Sequence, residues 1–298
     1  MQQATAFKYT SMEGRSLRER LFKQAVDVVA KLKKKGVTPT LHVVLVGDDP
    51  ASEIYVDAKM RAANKVGINA ELKQLPSTIT QVELDTALEA LSKDEGVHGI
   101  LLQLPLPKGL KKRQALNKIA PHKDVDGLTT HNMGVLVARE LGGIRPCTPL
   151  GIMRLLKSYN IDFMGKQAVV VGRSQLVGRP VAELLAQAGA TVTTCQRHTP
   201  DISEYTKQAD ILVVATGVPS LITSDMIKPG AAVVDVGITR LETGEVVGDC
   251  DLNCRDVAGL LSPVPGGVGP MTVATLMTNT IDAALKQNGE KAHKWELN

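Results

Sequence analysis

Aromatic residues are scarce, with three Phe, four Tyr and one Trp in 298 residues. A surface that holds single-stranded nucleic acid by stacking needs several such rings, so nucleic acid is not an expected partner. A net charge of only +4 adds no electrostatic case for one. Cysteine is scarce too: Cys147, Cys195, Cys250 and Cys254 are too few to staple a chain of this size, and reduced thiols are the expectation. Cys250 and Cys254 are close enough for half a metal site, but no second Cys or His pair accompanies them, so no metal is expected. No apolar run is long enough to span a bilayer. The chain reaches Arg15, Arg18 and Arg20 without the apolar stretch of a secretory leader. The expectation is a cytoplasmic globular protein with no membrane partner, suited to a small anionic ligand.

What is present is an alternation. Leu17, Leu21, Ala25, Val28, Val29 and Leu32 recur at helical spacing over 16–35, and "LHVVLVG" at 41–47 reads as a buried strand. A helix follows, with Ser52 as its N-cap, to Lys65 and a stop at Gly67. A strand at 69–75, a helix opened by a Thr80/Glu83 capping box, and a strand at 99–105 repeat the rhythm. Residues 121–149 are rich in turn formers and break it, so a domain boundary belongs there. Thr148 as N-cap with Pro149 behind it opens a helix to Tyr159. A second series then runs through "KQAVVVG", a helix over 179–188, "ATVTTC", "ADILVVATG" and "AAVVDVG", and ends in a helix over 271–288. Alternating helices and largely apolar strands predict an α/β fold in two domains, the second a Rossmann-like parallel sheet.

Several residues carry possible chemistry. In "VVVGRSQLVGRP", Gly172 ends an apolar strand and Gly178 opens a helix, where a doubly wound sheet binds nucleotides, although Ser174 replaces the second glycine of the usual fingerprint. Taken alone, the pattern fits a cofactor loop or a plain turn equally. Arg173 and Arg197 follow the first two strands of this series, and no acidic residue stands at "CQRHT" to hold a free ribose hydroxyl. Guanidinium groups there suit a ribose phosphate and hence NADP, the alternative being two solvated arginines. Tyr55 and Lys59 share one helix face, a spacing also met when a Tyr packs and a Lys is solvated. Gln103 is a polar residue at the end of an apolar strand, and Asp126 puts a carboxylate in a turn, where Asp also occurs merely to bond backbone.

"YVDAK", "VHGILLQLPLP", "KDVDGL", "PCTPLGI", "VVVGRS", "HTP", "ADILVVATG" and "PVPGGVGPMTV" occur in the order in which the methylenetetrahydrofolate dehydrogenase/cyclohydrolase family carries them. From about Leu41 to the last helix the chain resembles that family. The resemblance implies a catalytic folate-binding domain over 1–147, completed by the C-terminal helix within 271–298, and an NADP-binding domain over 148–270, with a cleft between them in a homodimer. It implies tetrahydrofolate derivatives as partners and two reactions. These are NADP-dependent oxidation of 5,10-methylenetetrahydrofolate to the methenyl form and hydrolysis of that product to 10-formyltetrahydrofolate. Tyr55, Lys59, Gln103 and Asp126 match the family's folate and catalytic positions, with Lys59 as general acid/base. Gly172, Arg173, Ser174, Arg197 and Ile238 match its cofactor positions, and Pro265, Gly266 and Gly267 match the loop beside the pterin. Gln196 stands where many members have His, and the tail "EKAHKWELN" carries none of these motifs. Two other classes stay open at this stage: a different NADP-dependent oxidoreductase on a similar sheet, and a binding module without turnover.

Overall fold

The computed structural model describes residues 9–297. The polar start of the chain, read above as lacking a leader, lies mostly outside them. The first half runs β1 (Thr10–Ser11), α1 (Gly14–Lys34), β2 (Thr40–Val46), α2 (Pro50–Val66), β3 (Asn69–Leu75), α3 (Gln81–Lys93), β4 (Gly99–Leu102), α4 (Lys112–Leu116) and α5 (Thr130–Val137). The second runs α6 (Cys147–Ser158), β5 (Gln167–Val171), α7 (Gly178–Gln187), β6 (Thr191–Cys195), α8 (Ser203–Thr206), β7 (Ile211–Val214), β8 (Ala232–Asp235), β9 (Thr239–Arg240), β10 (Val246–Val247), β11 (Leu260–Leu261) and α9 (Val268–Gln287).

The chain divides into two compact α/β units. One holds 19–147 and 273–296, around a parallel sheet of order β3-β2-β4. Val44, Val46, Ile100 and Leu102 of this sheet pack with Leu84, Leu88 and Leu91 of α3, so the apolar stripe of the helix covers the apolar strands. The edge strand β3 is mostly polar and at least partly exposed along its whole length, as an unpaired edge tolerates. The Thr80/Glu83 capping box forms as expected. Helix α2, however, starts earlier than predicted, because Asp49 is the N-cap and Pro50 begins the helix. Ser52 sits inside the first turn, giving its N–H and hydroxyl to the Asp49 carboxylate at 2.9 and 2.8 Å. The unmatched tail is docked on this unit. Asp282 accepts from the Trp295 indole at 2.9 Å and the His293 N–H at 2.8 Å, and Gln24 exchanges two bonds with the backbone of Glu296.

The second unit contains Thr148–Thr272 together with residues 9–18. Its sheet has the order β1-β11-β8-β7-β5-β6, and its neighbouring strands pair in parallel. Strands β7 and β8 are buried at every position, which is why "ILVV" and "AVVD" are nearly unbroken apolar runs. The first residues depart from the expected division at 147: β1 adds to β11 through Thr10 and Leu260, and the Gly14 N–H donates to Gly266 O at 3.0 Å. Helix α6 begins at Cys147, and Thr148, expected as its cap, instead pairs its hydroxyl with that of Thr272 at 3.0 Å. Among the described residues no helix is long and apolar enough to cross a membrane.

Candidate active site

In the first unit, Lys59 and Gln103 meet. Helix α2 carries Tyr55 and Lys59 one turn apart, and the chain leaving β4 carries Gln103, which is buried. The Lys59 ammonium donates to Gln103 Oε1 at 2.8 Å. Gln103 is itself fixed, since its side-chain N–H donates to Leu104 O at 2.7 Å and its backbone N–H to Val44 O at 2.8 Å. Tyr55 is nearly half exposed.

Asp126 lies in the turn between α4 and α5, a turn tied down from three sides. The carboxylate of the buried neighbour Asp124 accepts from the Thr129 N–H at 2.8 Å and from the Asn132 side chain at 2.9 Å. The Asn279 side chain on α9 donates to Val125 O at 2.9 Å and to Arg145 O at 3.0 Å. The Cys147 thiol, at the start of α6, donates to Val125 O at 3.2 Å. These contacts make a small titrating cluster. Burial lowers the Lys59 ammonium below its ordinary range, opposed by the charges of Asp126 and Cys147. Burial pushes the Asp126 carboxyl up to about 6, with Lys59 pulling it down and Asp124 pushing it further up. The Cys147 thiol is pushed well above its ordinary value by burial and by Asp126, so it stays protonated. A lysine whose charged form is disfavoured by burial and a carboxyl raised to about 6 are the kinds of group suited to proton transfer.

In the second unit, a cavity of about 870 Å³ opens at the carboxyl ends of β5, β6 and β7. Gly172, Arg173, Ser174, Gln196, Arg197, Ala215 and Thr216 line it, which is where a doubly wound sheet takes its nucleotide. Gly172 adopts φ +113°, and a Cβ there would meet Ala215 O at 2.3 Å. A Cβ on Gly178 would meet Gly172 O at 2.1 Å. Both glycines are therefore already required by the packing of their own backbone, before any phosphate is considered. Ser174 Oγ accepts from the N–H groups of Val177 and Gly178 at 3.1 and 3.4 Å, capping the start of α7. Arg173 donates to Gln196 Oε1 at 2.6 Å, and Arg197 to His198 Nε2 at 3.1 Å. Asp201 also lines the cavity, with its carboxylate engaged by the Ser203 N–H at 2.8 Å. Ile238 is about half exposed and lies outside the ring of lining residues. Pro265, Gly266 and Gly267 belong to this unit, where the Gly267 N–H closes their turn onto Pro263 O at 2.8 Å.

Sequence reasoning missed Cys147, Asp124 and Asn279. "KDVDG" contains both aspartates, and the pattern gave no reason to make one the brace of the turn and the other its reactive group. Asn279 sits on α9 among the buried Thr275, Thr278 and Thr280, far along the chain, and spacing carries no signal that singles it out.

A cavity at the carboxyl ends of a parallel sheet, with two arginines in its lining, belongs to a dinucleotide-dependent α/β enzyme. The chain belongs to the tetrahydrofolate dehydrogenase/cyclohydrolase family, with residues 12–126 matching that family's catalytic domain and 146–288 its NAD(P)-binding domain. The bifunctional protein FolD of Bordetella bronchiseptica is 47% identical over 92% of this chain and 96% of its own length. That of Caldicellulosiruptor saccharolyticus is 49% identical over 91% and 99%. The crystal structure of the bifunctional FolD of Campylobacter jejuni superposes with a TM-score of 0.91 at 46% identity, covering 93% of this chain and 98% of that one. The Trypanosoma brucei enzyme, solved with NADP cofactor and an inhibitor, gives 0.90 at 38% identity over 94% and 98%. Accordingly the chain is a bifunctional enzyme of one-carbon folate metabolism. It oxidises 5,10-methylenetetrahydrofolate on a nicotinamide cofactor and hydrolyses the methenyl product to 10-formyltetrahydrofolate.

Proposed function

We propose that the cofactor is NADP, that Lys59 is the general acid/base of the hydrolytic step, and that Tyr55, Gln103 and Asp126 hold the folate around it. The observation that carries the assignment is the 2.8 Å contact from the half-buried Lys59 amine to Gln103. A bound nicotinamide ring supplies the hydride acceptor. The residues supply position and protons, the part of the work expected of a protein around a redox cofactor. Asp126 accepts from the pterin's amino and ring N–H groups. When water adds to the methenyl carbon, neutral Lys59 takes its proton. As an ammonium it returns that proton to the ring nitrogen whose bond to the one-carbon unit breaks, and the remaining hydroxyl proton leaves to solvent. Gln103 keeps the amine aimed through this exchange.

NADP is favoured over NAD by Arg173 and Arg197, two forked cations suited to a ribose phosphate. The donor set fits the group, since the carboxylate of Asp201 is engaged with Ser203 while Arg173 and Arg197 both line the cavity. Gly172, Ser174 and Ile238 complete the proposed cofactor positions, and Pro265, Gly266 and Gly267 the proposed pterin loop. The four free cysteines support a cytoplasmic setting. A homodimer is proposed by analogy with the family, and sedimentation of the purified protein tests it. A spectrophotometric assay with methylenetetrahydrofolate and either NADP or NAD tests the cofactor, and equal catalytic efficiency with both would overturn the assignment.

A further inference from the structure

Beneath the nucleotide cavity two carboxyl groups are packed together. Asp249 is fully buried and Asp235 nearly so. Asp249 Oδ2 gathers three donors from the chain leaving β7: the Thr216 N–H at 2.6 Å, the Thr216 hydroxyl at 2.9 Å and the Gly217 N–H at 3.0 Å. Its other oxygen, Oδ1, is sealed from water without a hydrogen-bond partner. It lies so close to Gly237 that a Cβ there would approach it to 2.0 Å. Asp235, the last residue of β8, accepts from the N–H groups of Asp249 at 2.9 Å, Gly237 at 3.0 Å and Cys250 at 2.9 Å. Burial pushes its carboxyl up to about 6.

Desolvating two neighbouring acids, one with an oxygen left unpaired, lowers stability, and an apolar pair of similar volume would fill the space at less cost. The arrangement has a beneficiary. Thr216 faces the cavity beside Ala215, and Ala215 O is the atom against which Gly172 is packed. Fixing two successive N–H groups of this loop from below fixes the cavity floor, and Asp235 ties the same anchor to the turn before Ile238.

We infer that Asp249 is a positioning residue for the nicotinamide nucleotide, acting through Thr216 and Gly217 rather than by touching the cofactor. This rests on reading the cavity as the nucleotide site. The test is titration of NADP into the wild type and into Asp249→Ala and Asp249→Asn, with methenyltetrahydrofolate hydrolysis as a separate readout from the other unit. Loss of the charged anchor is expected to weaken NADP by about tenfold to a hundredfold in Asp249→Ala. Asp249→Asn, which keeps an acceptor for the two N–H groups, should fall between it and the wild type. In both variants the dehydrogenase KM for NADP rises more than kcat falls, while hydrolysis persists. If Asp249→Ala does not fold, Asp249→Asn decides. NADP affinity within twofold of the wild type, or equal loss of both activities in Asp249→Asn, would overturn the inference. A wild type that binds no NADP would instead overturn the reading of the cavity.

Discussion

The Lys59 ammonium donates to the side-chain amide oxygen of Gln103 at 2.8 Å, so its closest partner is a neutral acceptor and not a carboxylate. A carboxylate at that distance would hold the lysine protonated. An amide orients it while leaving burial free to lower its pKa.

Replacing Gln103 with Glu should therefore act through Lys59. The new charge favours the ammonium, which raises the lysine pKa and shrinks the neutral fraction near pH 7. Hydrolysis of methenyltetrahydrofolate by Gln103→Glu is expected to fall at neutral pH and to recover toward alkaline pH, its profile displaced upward. An unshifted profile would separate Gln103 from the lysine's titration.

Lys59→Met should remove the proton carrier while preserving most of the aliphatic stem. Cyclohydrolase activity is expected to drop by about a hundred- to ten-thousandfold. NADP titration should stay near normal, because the cavity that binds it is built from the other unit's residues. Retained hydrolysis would return Lys59 to the role of an ordinary helix lysine.

Asp126 couples function to stability with a definite sign. Its folded value of about 6 stands above the ordinary 3.8. The favourable contribution of the protonated form is thus complete below about pH 4 and is lost as pH rises through 6. Asp126→Asn removes an ionisation that the folded state disfavours, and near neutral pH it should gain stability on the order of 1–3 kcal/mol. Folate affinity should fall at the same time, since the amide is a poorer acceptor for pterin N–H groups. Thermal melting at neutral and acid pH, paired with folate titration, checks both halves. A stability gain that persists unchanged at pH 4, or unweakened folate binding, contradicts the assignment.

Arg197→Ala should lower the NADP-over-NAD preference by about tenfold or more, the size expected for one charged hydrogen bond. NAD turnover should change little. Paired kcat/KM values for the two cofactors measure this, and a parallel loss with both would mean that Arg197 does not read the ribose phosphate.

Much of this was legible in the chain because its causes are local. Strands β5, β7 and β8 declare themselves as apolar runs, and the Thr80/Glu83 box marks the start of α3. Tyr55 and Lys59 share a face by helical spacing alone, and Gln103 stands out by its polarity at a strand end. The start of α2 misled, because Asp49 and Ser52 are both good caps and only the Asp49–Ser52 bonds distinguish them. The braces were not legible. Asn279 reaches Val125 across 154 positions and Asp249 reaches Thr216 across 33. Such pairs are selected by tertiary packing, which no window of neighbouring residues contains.

Strand β1 has a consequence for how the enzyme is made. Thr10 and Ser11 are synthesised well before their partners in β11, which lie about 250 positions later. Until β1 docks, the sheet has an open flank at β11 while its other strands can already pair. Closing so long a loop carries an entropic toll that the final contacts must repay, which tends to delay such pairings. A late β1 therefore leaves exposed backbone along β11, the point at which a chaperone or a misdirected strand would meet the chain.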